Sequence, residues 1–224
     1  MIPRILIDTA QVPGGEGELR LIRHGDDFII MLGRNELMNS RVGGSEEALA
    51  ELACARIASG APPHLLIGGL GMGFTLRAAL ARLDANASIT VAELVPAVVA
   101  WAKGPLARIF GSCLSDPRVA LAIDDVGALI RAAPSRYDAI LLDVDNGPDG
   151  LSRKENDRLY DLPGLRKTRA ALRPGGVLAI WSCAPDNRFT RRLAEAGFAV
   201  EEIAVRARQS GRGARHVIWL ATRR

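Results

Sequence analysis

The chain has 224 residues, 48% of them hydrophobic, which gives room for one ordinary α/β domain and a small appendage but not for two full-sized domains. Its 29 Lys and Arg outnumber 25 Asp and Glu for a net charge of +4, yet aromatic residues make up only 4%, which argues against a base-stacking platform. No apolar run reaches membrane-span length, residues 1–10 lack the basic-then-apolar layout of a secretory leader, and Cys54, Cys113 and Cys183 show no metal-ligand spacing. The expectation is a cytoplasmic protein with buried thiols, no metal and no membrane contact.

Residues 1–42 read as strands and turns. Residues 4–8, 17–23 and 27–32 alternate apolar and polar side chains, separated by Pro13-Gly14-Gly15 and by His24-Gly25-Asp26-Asp27. His24 beside that turn reads as a surface residue. After Gly43-Gly44 the pattern becomes helical: Ser45 can cap, Glu46 and Glu47 suit the first turn, and Ala48, Leu49, Leu52, Ala53 and Ile57 form the apolar stripe. Ala61-Pro62-Pro63 is the natural boundary. The chain thus divides into a β-rich region over 1–42, a linking helix over 43–61 and a larger unit over 62–224.

From His64 strands and helices alternate. Strands are predicted over 65–67, 88–93, 119–123, 137–143 and 177–181, and helices over 75–83, 96–109, 126–132, 162–172 and 188–196. Two last strands, 200–206 and 216–222, are joined by a Gly-rich turn. Such alternation means a seven-stranded, mostly parallel sheet covered on both faces, and the final pair must be antiparallel. The arginines at the end (Arg206, Arg208, Arg212, Arg215, Arg223, Arg224) read as a solvated face rather than a nucleic-acid surface.

The strongest signal is Leu65-Leu66-Ile67-Gly68-Gly69-Leu70-Gly71-Met72-Gly73, a strand running into a glycine turn before a helix. Glycine suits a sharp turn that a ligand approaches closely. Glu93 closes the next strand twenty residues after Gly73, the spacing of a carboxylate that accepts hydrogen bonds from ribose hydroxyls. That combination fits a dinucleotide or an S-adenosyl compound. Asp124 and Asp125 end the third strand, where a carboxylate can accept a hydrogen bond from an adenine amino group, and Asp125 also suits a helix N-cap. The fourth strand ends in Asp143-Val144-Asp145-Asn146-Gly147-Pro148; Asp145 and Asn146 alone could be turn formers, whereas Asp143, directly after Ile140-Leu141-Leu142, reads as part of a reaction site.

At this point the sequence resembles the Rossmann-like methyltransferases, and more closely the spermidine synthase (polyamine aminopropyltransferase) family, over nearly its whole length. The resemblance is carried by Leu32-Gly33-Arg34-Asn35-Glu36, Ser45-Glu46-Glu47, the glycine turn, Asp116-Pro117-Arg118-Val119, residues 137–143 and Leu172-Arg173-Pro174-Gly175-Gly176. It implies that Asp143 is the base for an attacking amine and that chains pair as a homodimer through the N-terminal region. The sequence also departs from the family. Its glycine turn lacks the family's Asp, Asn146 stands where a second Asp is expected, and Ser45 and Glu46 replace an aromatic residue and a Gln or His.

A turn without an acid can tolerate the carboxylate of ordinary S-adenosylmethionine, because backbone N–H groups at a helix N-terminus favour anions. The reading that follows is methyl transfer from S-adenosylmethionine to a small acceptor, an amine for preference. In it Gly68, Gly69, Gly71 and Gly73 cradle the amino-acid portion, Glu93 holds ribose, Asp124 and Asp125 hold adenine, and Asp143 deprotonates the acceptor. The alternatives are aminopropyl transfer from decarboxylated S-adenosylmethionine, with Asp145, Glu36 and Glu46 rebuilding the acidic pocket, and a non-catalytic nucleoside binder. Trp181 is a candidate pocket wall beside Asp145 and Asn146; Trp101 and Tyr160 read as core.

Overall fold

The computed structural model describes residues 2–14, 17–58, 60–144, 158–208 and 213–224. The alternating residues at the start form an antiparallel meander of β1 (Arg4–Gln11), β2 (Glu18–His24), β3 (Asp27–Leu32) and β4 (Asn35–Asn39), in that spatial order. Sequence patterning misses β4, which is short and polar. Its pairing with β3 shifts between Ile30↔Met38 and Met31↔Glu36, so Leu37 is the extra residue of a bulge. Trp101, read as core, is buried, and its indole N–H donates to Asp8 Oδ2 at 2.7 Å, tying β1 to the larger unit.

Helix α1 (Gly44–Cys54) has its N-cap at Gly43 rather than at Ser45. The Phe74 ring explains why: a Cβ on Gly43 would lie 2.4 Å from it, so a serine cannot occupy the cap. Ser45 is instead inside the helix with its side chain fully buried.

The second sheet has the order β10-β11-β9-β8-β5-β6-β7. Its strands are β5 (His64–Gly68), β6 (Ser88–Ala92), β7 (Val119–Ala122), β8 (Tyr137–Leu142), β9 (Leu172–Ser182), β10 (Phe198–Arg206) and β11 (Arg215–Arg223). Strands β5 to β9 run parallel, and β11 is antiparallel to both β9 and β10, as the alternation requires. Strand β9 begins five residues before the predicted one, because Leu172 pairs with Tyr137 ahead of the Pro-Gly-Gly turn. The helices are α2 (Phe74–Arg82), α3 (Pro96–Lys103), α4 (Ala107–Phe110), α5 (Val126–Arg131), α6 (Leu162–Ala171) and α7 (Asn187–Glu195). Gly104 splits the single helix predicted over 96–109.

Side chains from alternate strand positions fill two cores. Leu65, Ile67, Val91 and Leu141 face α1, α2 and α3; Leu66, Ile140, Leu142 and Ile180 face α5, α6 and α7. The Asp-Pro-Arg-Val stretch has a structural task. The Arg118 guanidinium pairs with Asp116 at 2.8 Å and donates to the Leu80 and Leu83 carbonyls, satisfying the C-terminus of α2. Of the cysteines only Cys113 is buried; Cys54 is half-buried and Cys183 exposed, which corrects the expectation of three buried thiols. Among the described residues, no helix is long and apolar enough to cross a membrane.

Candidate active site

The order of the second sheet places its switch point at β5 and β8: from β5 the chain crosses to β6 and β7 on one side, and from β8 to β9 on the other. The carboxyl ends of these two strands open into a cleft, as open α/β sheets require. The glycine turn forms its floor. Gly69, Gly71 and Gly73 have φ values of +89°, +50° and +75°, and a Cβ on Gly69 would lie 3.0 Å from the Asp143 carbonyl oxygen. Only glycine lets the turn run this close to the end of β8.

Glu93, after β6, is 7% exposed. One carboxylate oxygen accepts from Leu70 N–H at 2.9 Å and the other from Val95 N–H at 2.8 Å. Burial raises its pKa and these backbone donors oppose the rise. The residue therefore locks the glycine turn while lining the cleft. Asp124 and Asp125 also line it. Asp125 caps α5 through Ala128 N–H at 2.8 Å, and Asp124 accepts from Asp125 N–H at 2.7 Å.

The opposite wall comes from the first sheet: Val12, Leu19, Ile30, Leu32, Leu37 and Met38. The bulge at Leu37 lets neighbours of β4 share this face. Sequence reasoning missed the wall, since alternation shows that a strand has an apolar face but not what the face meets.

Asp143, following β8, lines both this cleft and a narrower recess beside the turn. Glu46 of α1 lines the same recess, with Gly69, Gly71, Gly73 and Thr75. Burial first, then the Glu46 charge, pushes the Asp143 carboxyl up to about 8, opposed by a hydrogen bond with Thr75. Burial likewise raises Glu46, while the Ser45 hydroxyl donates to its Oε2 at 2.6 Å and works against the rise. Two carboxyls over one turn hold a proton at neutral pH more readily than either would alone. Thr75 and Ser45 had no signal as site residues in the sequence, because a lone hydroxyl in a helix has many uses.

Two candidate substrate residues lie elsewhere. Glu36 is exposed and accepts from Asn39 at 2.6 Å, because the register of β4 turns it away from the cleft. Trp181 is 8% exposed and packs edge-on against His216 with ring centroids 4.7 Å apart, facing the α1 core rather than lining the cleft. Its position at the end of β9 suggested the rim, but the register with Ile218 turns the ring inward. Asp145 and Asn146 lie outside the described residues.

A seven-stranded sheet of this order, with an acid following each of β6, β7 and β8 around a glycine turn, defines the Rossmann-like methyltransferase fold. The spermine/spermidine synthase domain matches residues 45–187, more than half of the chain, and the chain belongs to that family. It is similar to the polyamine aminopropyltransferase of Mycobacterium tuberculosis, at 30% identity over 82% of this chain and 35% of the relative. It is also similar to spermidine synthase 1 of Pisum sativum, at 31% identity over 70% of this chain and 43% of the relative. The chain thus spans well under half the length of these curated relatives. The spermidine synthase structure from Thermotoga maritima superimposes with a TM-score of 0.76 at 18% identity, covering 98% of this chain and 73% of that one, a likeness of fold.

These relationships overturn the expectation of methyl transfer, since the family and the curated relatives are spermidine synthases and polyamine aminopropyltransferases. The expectation rested on a glycine turn without an acid. The alternative with a rebuilt acidic pocket named Glu46, and α1 does deliver Glu46 into the recess beside that turn.

Proposed function

We propose that the chain transfers an aminopropyl group from decarboxylated S-adenosylmethionine to a small amine. The observation that carries this reading is the pair of carboxyls, Glu46 and Asp143, over the glycine turn. A donor tail that ends in an ammonium, and an acceptor that is itself cationic, are stabilised by such a pair, whereas a donor carboxylate would be repelled by it. The cleft fits the rest of the donor. Its apolar wall suits the methylene groups and the base face, Glu93 would accept from the ribose hydroxyls, and Asp124 and Asp125 would take the adenine end.

In the reaction, the acceptor binds with its attacking nitrogen as the neutral amine and its charge on the far nitrogen, and the free lone pair attacks the propyl carbon bonded to the sulfonium. The carbon–sulfur bond breaks, and its electron pair leaves sulfur as a neutral thioether. The new secondary ammonium then gives its proton to the Asp143 carboxylate. Asp143 must be ionised for this, and the arriving positive charges lower its pKa from the raised value of the empty site. Alignment of amine and sulfonium supplies most of the acceleration, because the leaving group is already activated.

Calorimetry with the two donors tests the reading. A preference for decarboxylated over carboxylated S-adenosylmethionine of about tenfold or more, about 1.4 kcal/mol, is expected. Equal or reversed affinity would contradict it. Tight nucleoside binding without product from any amine would instead indicate a non-catalytic relative.

A further inference from the structure

Behind Glu46 lies a chain of hydrogen bonds that the reaction does not itself require. Ser45 is fully buried, and its hydroxyl donates to Glu46 Oε2 at 2.6 Å. The Ser45 oxygen also lies 2.9 Å from Nδ1 of His216, a residue of β11 distant in sequence. A hydroxyl has one proton, and here it goes to the carboxylate. With Glu46 ionised, His216 Nδ1 is the donor to Ser45. In that state the chain runs from His216 Nδ1–H to Ser45 Oγ–H to the Glu46 carboxylate. The His216 ring is held by Trp181, which packs edge-on at 72° between the planes.

A hydroxyl donating to the carboxylate oxygen, itself held by a second donor, favours the ionised form and fixes its rotamer. The oxygen so held belongs to the residue that faces Asp143 across the recess by the glycine turn. A small residue at position 45 is needed for this arrangement. The sequence has serine where the family resemblance leads one to expect an aromatic ring, and the hydroxyl bridges the helix and the last strand.

We propose that Ser45 and His216 are positioning residues that hold the Glu46 carboxylate over the glycine turn, and that this chain sets the preference for a donor tail without a carboxylate. The proposal rests on the reading of function above. It assigns a purpose to the helix–strand contact beyond packing, and it gives Trp181 a role through His216 rather than as a pocket wall.

The test measures affinities by calorimetry for decarboxylated S-adenosylmethionine, S-adenosylmethionine and 5′-methylthioadenosine, which lacks the tail. Ser45→Ala removes the bridge. His216→Phe keeps the ring contact with Trp181 but not the donor, and His216→Asn restores an N–H near the position of Nδ1. Ser45→Ala and His216→Phe are expected to narrow the donor preference by about tenfold or more, as for a lost hydrogen bond to a charged group. Affinity for 5′-methylthioadenosine should stay within about twofold, and His216→Asn should recover most of the preference. A preference retained in both Ser45→Ala and His216→Phe overturns the proposal alone. Equal losses for all three ligands overturn it in favour of a merely structural contact. A wild-type protein without any donor preference defeats the reading of function, and this proposal with it.

Discussion

Glu46 and Asp143 line one recess beside the glycine turn, one from the first turn of α1 and the other from the end of β8. The negative charge of Glu46 adds to burial in raising the Asp143 carboxyl. A cation bound beside the pair is expected to lower it again. Asp143→Asn keeps the size of the side chain but cannot take the product proton. It is expected to lower kcat by about 10²–10⁴-fold while leaving 5′-methylthioadenosine affinity within about threefold. Parallel loss of turnover and nucleoside binding would show that Asp143 supports the turn rather than the reaction.

The same pair makes the stability of the unliganded protein depend on pH. Both groups have raised pKa values when folded, so the folded chain retains protons that the unfolded chain releases near pH 4. This stabilising contribution is fully present below about pH 4 and is lost as pH rises towards about 8. Between about pH 5 and 8 the thermal midpoint of the wild type should fall more steeply than that of Asp143→Asn. Identical slopes would mean that Asp143 is not held in its protonated form.

Gly73 has a φ of +75°, and a Cβ there would lie 2.6 Å from the Phe110 ring. Gly73→Ala combines backbone strain with overpacking and should cost about 1–3 kcal/mol in denaturant unfolding, with weaker nucleoside binding. Full stability in the variant would show that the turn is freer than its geometry indicates.

Much of the larger unit was legible because each strand–turn–helix passage left a local mark: apolar runs of strand length, glycines between them, and an acid after β6, β7 and β8. Glu93 and Asp143 could be singled out for that reason. What could not be read was what depends on distant pairing. Leu37 lies on the cleft because β4 bulges against β3, and Glu36 points away for the same reason. Ser45 looked like a helix cap because nothing local reports the Phe74 ring against Gly43. Its contact with His216 joins α1 to the last strand, where no periodicity in either segment records the other.

Arg118 illustrates the reverse case, a motif that marks kinship yet serves the scaffold. Its bonds to Asp116 and to carbonyls at the end of α2 lie away from the cleft. Arg118→Ala should lower the thermal midpoint by several degrees and leave 5′-methylthioadenosine affinity unchanged. A loss of affinity without loss of stability would place Arg118 in the site after all.

The central claim is aminopropyl transfer, and its most direct test is product analysis. The protein is incubated with decarboxylated S-adenosylmethionine and a panel of small diamines including putrescine, in parallel with S-adenosylmethionine, and the products are identified by mass spectrometry. The account predicts 5′-methylthioadenosine together with an acceptor extended by one aminopropyl unit, and no methylated amine from the parallel reaction. Methylated acceptor and S-adenosylhomocysteine, with no aminopropyl product, would contradict it.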